Sequence, residues 1–341
     1  MDPIFIIGTE RSGTNLLRLI LNSHPDIAIP HPPHILKNFF GLEQFYGDLA
    51  VDRNFRLLIN DVARSVELHP YPWEIGLDRG KIFRTALDKS LISIYFAVYD
   101  QYLESTGKKR WGCKSTFMID HVGLVRRYYP NARFIYMVRD CRDVAVSAKK
   151  TIFNRYCVYY TARLWKKEQQ TGIYWLSKLP KEEIFLLRYE GLLTDPEKTI
   201  RDLCAFLDEP YVEDMLFFFT GEEAKKSSGL SSAWANTSKP ILKGNFDKFK
   251  KSLKPQEVSL IETMAGEELD HFSYNLTEPF YLSESRRSGG VKFKLRYLIE
   301  ETALMIKVQL AHLFRDKNAG LRLKKFWFLK FIGVMRRCRI R

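Results

Sequence analysis

Pro3-Ile4-Phe5-Ile6-Ile7-Gly8-Thr9-Glu10-Arg11-Ser12-Gly13-Thr14-Asn15-Leu16-Leu17 is the stretch whose reading decides the fold. Ile4 to Ile7 is an unbroken apolar run rich in β-branched residues, the pattern of a short strand covered on both faces. Gly8 and Gly13 bound a polar turn. Leu16, Leu17, Ile20 and Leu21 then recur at helical spacing, so a helix is expected from Thr14. Strand, glycine-bounded turn and helix together aim backbone N–H groups and the positive end of a helix at one point, which suits a phosphate.

Gly8 and Gly13 keep the spacing of the phosphate loop Gly-x4-Gly-Lys-Ser/Thr, but Thr14 and Asn15 stand where that loop carries its lysine and its magnesium hydroxyl. Without the lysine a γ-phosphate loses its main cationic contact. Arg11, inside the loop, is the nearest replacement, and a guanidinium fork suits a terminal phosphate. A structural turn with incidental glycines would show the same pattern, so the rest of the chain has to decide.

The chain has 341 residues, 45% of them apolar and 14% aromatic, enough for one large domain with an appendage. A domain over residues 1–282, a linker at 283–290 containing two glycines, and a basic helical tail over 291–341 are the expected divisions. Five scattered cysteines with no Cys-x-x-Cys pair argue against a disulfide framework or a structural zinc site and fit a reducing compartment. No basic segment precedes the first strand and no apolar run reaches bilayer length, so neither a signal peptide nor a membrane span is expected. These features point to the cytoplasm, with the inner face of the membrane as a peripheral location. The net charge of +14 is uneven: residues 286–341 hold 16 Lys/Arg against Glu300, Glu301 and Asp316. Basicity therefore belongs to the tail and concerns what the tail touches.

Further strands are expected at Ile27 to Ile29, Arg110 to Ser115, Arg133 to Val138 and Ile184 to Leu187, alternating with helices. Alternation of this kind gives an α/β fold of three layers, a central parallel sheet flanked by helices. Residues 35–105 read as mostly helical and aromatic-rich, beside the active site. Asp195-Pro196-Glu197 is a helix start with proline at the first helical position. Arg139 ends the clearest buried strand after the first, and Ser147 lies in the helix that follows, a second cationic and hydroxyl-bearing anion site. Asp140 after that strand also has the look of a magnesium ligand, which keeps an ATP-dependent kinase or NTPase as the rival reading.

Assembled, these blocks resemble the PAPS-dependent sulfotransferases, nearest to the bacterial and tyrosylprotein-sulfotransferase-like branch. Thr9 to Leu17 with Ser23-His24-Pro25-Asp26 resembles the 5′-phosphosulfate loop, and Phe134 to Asp143 with Ser147 the 3′-phosphate strand and helix. Arg188-Tyr189-Glu190-Gly191-Leu192-Leu193-Thr194-Asp195-Pro196-Glu197 is similar to a segment usual in that family, and Lys243-Gly244-Asn245-Phe246-Asp247-Lys248-Phe249-Lys250 is a looser version of its late glycine–aromatic–lysine loop. The resemblance covers residues 3–275. It implies PAPS as the sulfuryl donor, no metal, and a hydroxylated acceptor: a lipid-like, sterol or phenolic molecule, or a glycan. It implies donor contacts from Arg11, Ser12, Gly13, Thr14, Asn15, Arg139, Ser147, Tyr189, Lys243 and Gly244, with Lys114 at the bridging oxygen.

The base is where the chain departs from that family. Relatives usually carry a glutamate soon after the His-Pro-Asp segment, and the aligned position here is Pro32, flanked by His31 and His34. An imidazole suits base work near neutral pH, so His34 and His31 are the candidates, with His24, His69 and His121 outside the expected site. In the tail, Leu321 to Ile332 mixes bulky apolar residues with lysines and leads to Arg336-Arg337-Cys338-Arg339. That pattern suits an anionic membrane surface; packing on the domain and, less so, nucleic acid are the alternatives.

Overall fold

The opening apolar run forms β1, Ile4–Gly8, with Ile4, Phe5, Ile6 and Ile7 fully buried. Burying each such side chain contributes about 1.5–3 kcal/mol, which makes this strand the spine of the sheet. The computed structural model describes residues 1–149, 157–230, 232–277, 291–315 and 318–338. The other strands are β2 (Ile27–Ala28), β3 (Arg110–Lys114), β4 (Arg133–Val138) and β5 (Ile184–Arg188). They pair in the order β2-β3-β1-β4-β5, all parallel.

Parallel strands need crossovers, and these supply the helices of the outer layers. Because side chains alternate along β1, Phe5 and Ile7 face one layer and Ile4 and Ile6 the other. The first face packs against the helices Asp52–Glu67, Leu91–Thr106 and Val158–Lys178. The second packs against Thr14–Asn22 and Pro196–Leu207. The latter helix begins as its sequence dictates: Asp195 Oδ1 accepts from the Lys198 N–H at 3.1 Å, with Pro196 in the first turn.

From β1 the chain winds outward to β3 on one side and to β4 on the other. Open parallel sheets bind ligands at such a reversal, beside the carboxyl ends of the strands. Register sets the level of those ends: Gly8 lies opposite Met137, Ile6 opposite Lys114, and Val138 opposite Arg188. Residues following β1, β3, β4 and β5 are therefore delivered to one edge of the sheet.

The helix after β4 starts at Cys141, where Asp140 accepts from the Arg142 N–H at 2.8 Å and opens the turn. The linker expected at 283–290 lies outside the described residues. Two helices make up the described tail, Val291–Arg315 and Ala319–Cys338. The first touches the domain where Glu301 Oε2 accepts from the Cys157 N–H at 3.1 Å and Tyr297 stacks on Tyr159 at 4.8 Å. The second lies against the helix Asp52–Glu67, burying Ile332 and pairing Arg336 with Asp61 at 2.8 Å. No helix among the described residues is long and apolar enough to cross a membrane.

Candidate active site

The turn after β1 has a backbone that side chains would forbid. At Gly8, with φ +135°, an added Cβ would lie 2.2 Å from the Met137 carbonyl oxygen, and backbone cannot yield. At Gly13, with φ +93°, it would lie 2.4 Å from Tyr189 Cδ2. Arg11 also adopts the left-handed region, at φ 73°, which costs an arginine energy that the surroundings must offset. The offset is visible: Arg139 Nη1 donates to the Arg11 carbonyl at 3.1 Å, and Arg11 Nε donates to Ser147 Oγ at 3.2 Å. Two guanidinium groups from different strand ends are thus held together, and burial followed by Arg139 lowers the Arg11 pKa. Two guanidinium groups at the border of one cavity suit an anion.

Arg139 is a hub. Its guanidinium lies 4.3 Å over the Tyr189 ring, donates to the Asn245 carbonyl at 3.3 Å, and stands 3.8 Å from Asp143 Oδ2. Asn245 Nδ2 in turn donates to the Tyr189 hydroxyl at 2.8 Å. Arg139 Nε and Ser12 Oγ are buried polar atoms with no hydrogen-bond partner among the described residues. Buried polar groups are normally satisfied, so both fit the oxygens of a bound phosphate.

These groups border a cavity of 680 Å³ at the carboxyl edge of the sheet. Arg11, Gly13, Thr14, Asn15, Lys114, Arg139, Ser147 and Tyr189 all line it, as do His31 and His34. Ser12 lies buried beneath the turn. Lys243 and Gly244 are exposed and do not line the cavity, whereas Lys239, Asn245 and Lys248 on either side of them do. Asn15 reaches the wall but spends its side chain structurally, donating to Ser227 Oγ at 3.0 Å and accepting from Arg18 Nε at 3.0 Å. Burial, reinforced by Arg18, lowers the Lys114 pKa to about 8.

Opposite the arginines stands an imidazole cluster. Both ring nitrogens of His31 and Nδ1 of His34 are buried without a hydrogen-bond partner among the described residues. Burial and nearby cations hold both pKa values well below the ordinary histidine range, so both rings are neutral at pH 7. His34 heads the short helix Ile35–Phe39 at φ 59°, a turn that aims the ring at the cavity while Trp73 Nε1 fixes the His31 carbonyl at 2.7 Å. His69 joins them, its ring 5.5 Å from His31 and 5.9 Å from His34, although sequence spacing placed it elsewhere. Its Nδ1 accepts from the Tyr71 N–H at 3.1 Å, and burial depresses its pKa to about 3. His121 packs between Phe40 and Phe117, and His24 bonds the Pro210 carbonyl at 2.9 Å; neither lines the cavity.

Asp140, which the rival reading needs as a magnesium ligand, is committed elsewhere. Arg142 Nη2 donates to its Oδ2 at 2.6 Å, and Arg142 also binds Glu262 at 2.6 Å in a buried network. The cavity also takes a wall that sequence reasoning missed. Arg322, Lys325, Phe326 and Leu329 of the tail helix Ala319–Cys338 line it, and Lys325 Nζ donates to the Pro33 carbonyl at 3.2 Å. Burial lowers the Lys325 pKa to about 7. The visible signal was the inward stripe Leu321, Lys325, Phe328, Ile332, spaced three or four residues apart.

Comparison with known proteins agrees with this geometry. The model of the Sulfotransferase family matches residues 3–214. Protein-tyrosine sulfotransferase 1 of the rat, Rattus norvegicus, is 25% identical over 322 residues, covering 88% of this chain and 80% of that protein. Among solved structures, the sulfotransferase domain from the curacin biosynthetic pathway has a TM-score of 0.56 at 22% identity, covering 81% of this chain and 98% of that one. The sulfotransferase domain of the Synechococcus olefin synthase has a TM-score of 0.51 at 18% identity, covering 78% and 94%. The chain belongs to the sulfotransferase family.

Proposed function

We propose that this sulfotransferase moves the sulfuryl group of PAPS to a hydroxyl of an acceptor, with His34 as the base. PAPS supplies an activated sulfuryl group, and its departure leaves PAP. The observation that carries the reading is the two guanidinium groups of Arg11 and Arg139, with Ser147 and the turn after β1, on one sheet edge and bordering the same cavity as neutral imidazoles. In this reading Arg11 and the turn amides hold the 5′-phosphate, and Arg139 and Ser147 the 3′-phosphate.

The acceptor hydroxyl gives its proton to His34 as its oxygen forms a bond to sulfur, while the bond from sulfur to the phosphate oxygen breaks. Lys114 meets the negative charge that develops on that leaving oxygen. A neutral imidazole is the form a base requires, and the depressed pKa keeps His34 in that form throughout the neutral range. Burial is the first cause of that depression, with the nearby cations adding to it. The rings of His31, Tyr71 and Trp234, with centroids 4.7–5.7 Å apart, border the same cavity and suit the apolar or aromatic body of an acceptor. Among the acceptors considered, a phenol fits those rings, and the rat relative is named for tyrosine. The same proposal places the chain at the periphery of an anionic membrane, through its basic tail.

Purified protein incubated with PAPS and a panel of phenols, sterols, lipids and glycans is the direct test, read by mass spectrometry with PAP release in parallel. Sulfated product is expected, with kcat lowered about 10²- to 10⁴-fold in His34→Ala and far less in His31→Ala. Binding of ATP with magnesium in place of PAP would overturn the reading in favour of the kinase.

A further inference from the structure

The tail helix Ala319–Cys338 is apolar on two faces. Its inner face buries Lys325 and Ile332 against the domain. Its outer face holds Leu323, Trp327, Phe331 and Val334, between 47% and 63% exposed and spaced three or four residues apart, so they form one stripe. A contiguous apolar stripe on a helix is normally covered, and among the described residues the domain covers the other side of this helix only. Lys324, Lys330 and Arg337 interrupt and flank the stripe, all exposed. Bulky apolar residues including tryptophan, edged by cations, fit the boundary of an anionic bilayer, where rings enter the acyl region and ammonium groups meet headgroup phosphates. A second copy of the chain would bring an equally basic tail against this one, so charge selects lipid over self-association.

Position gives the surface a purpose. Phe326, half exposed and at the border of the stripe, also lines the cavity, as do Arg322 and Leu329 on the same helix. One helix is therefore both the outer apolar face and a wall of the acceptor space.

We infer that the helix Ala319–Cys338 lies in the interface of an anionic membrane and opens the acceptor cavity toward it, so that the acceptor is a hydroxylated amphiphile held in that bilayer. The acceptor clause rests on the sulfotransferase reading; the membrane clause does not. No bond to lipid is made, and attachment is reversible.

The full chain is mixed with vesicles of phosphatidylcholine alone or with added phosphatidylglycerol, and binding is read by sedimentation and by Trp emission. Binding to the phosphatidylglycerol vesicles is expected, with a blue shift, weakened by salt and reduced about tenfold or more in Phe331→Glu. Phe331→Glu alters an exposed residue, and unchanged PAP affinity by calorimetry serves as its folding control. Equal binding to the two lipid compositions, or a Phe331→Glu variant that binds as well as the parent, overturns the inference. So does a concentration-dependent dimer that Phe331→Glu abolishes, because the face is then an interface between copies. A second arm compares dodecylphenol held in vesicles with 4-ethylphenol in solution. Phe331→Glu is expected to lose turnover of the first and keep that of the second, and equal losses overturn the acceptor clause. If PAP itself does not bind, the sulfotransferase reading falls with the acceptor clause, while vesicle binding still decides the membrane clause.

Discussion

Replacing Gly13 by alanine is the sharpest test of how the donor turn is held. The residue sits at φ +93°, where a side chain costs about 1–2 kcal/mol. Its new Cβ would lie 2.4 Å from Tyr189 Cδ2 and 3.0 Å from Met137 Cε, so the Tyr189 ring must move. Moving it breaks the Asn245–Tyr189 hydrogen bond of 2.8 Å, about 0.5–1.5 kcal/mol, and displaces the ring from under Arg139, about 0.5–1 kcal/mol. The expected total is about 2–4 kcal/mol, divided between stability and donor affinity. Urea denaturation measures the first part and calorimetry with PAP the second, where weakening of about tenfold or more is expected. Adding Tyr189→Ala should relieve the clash while leaving the backbone cost. A Gly13→Ala protein as stable as the parent, binding PAP within about twofold, would refute the claim that Tyr189 and Arg139 brace this turn.

Three further outcomes follow from the charges around the cavity. In the proposed mechanism Lys114 meets the leaving oxygen as an ammonium, so kcat/KM should fall as pH rises past about 8, and Lys114→Arg should remove that limb from the pH profile. Burial is the main cause of the low His34 and His69 pKa values, and Lys325 adds to it by its charge, with Lys37, Lys114 and Arg322 as the other cations nearby; Lys325→Met should raise the histidine pKa values and move the acid limb of kcat/KM upward, while Lys325→Arg should leave it in place. Burial raises the Glu168 pKa to about 8, so the folded chain keeps a proton that the unfolded chain releases near the ordinary carboxyl value, and stability is lost as pH rises between the two. Glu168→Gln should therefore raise the Tm at pH 8 more than at pH 5, as read by thermal unfolding, and an equal effect at both would contradict the assignment.

What the sequence determined by itself was whatever depends on neighbours in the chain. The apolar run Ile4 to Ile7, the two glycines and the leucines after Thr14 specify a strand, a turn and a helix, because β-branching, positive φ and helical spacing are local properties. Arg139 after its buried strand and His31 and His34 in a proline-stiffened loop were legible for the same reason. Tertiary structure decided the rest. His69 reaches the imidazole cluster from far along the chain, through a fold-specific bend at His69 to Trp73 that no spacing encodes. Lys243 and Gly244 yield their place to Asn245, since which residue of a loop turns inward depends on what it meets, here Arg139 and Tyr189. The tail read as an appendage because its charge set it apart, yet Lys325 reaches the Pro33 carbonyl and Arg336 reaches Asp61. Composition records how polar a segment is; only packing determines which of its faces another element covers.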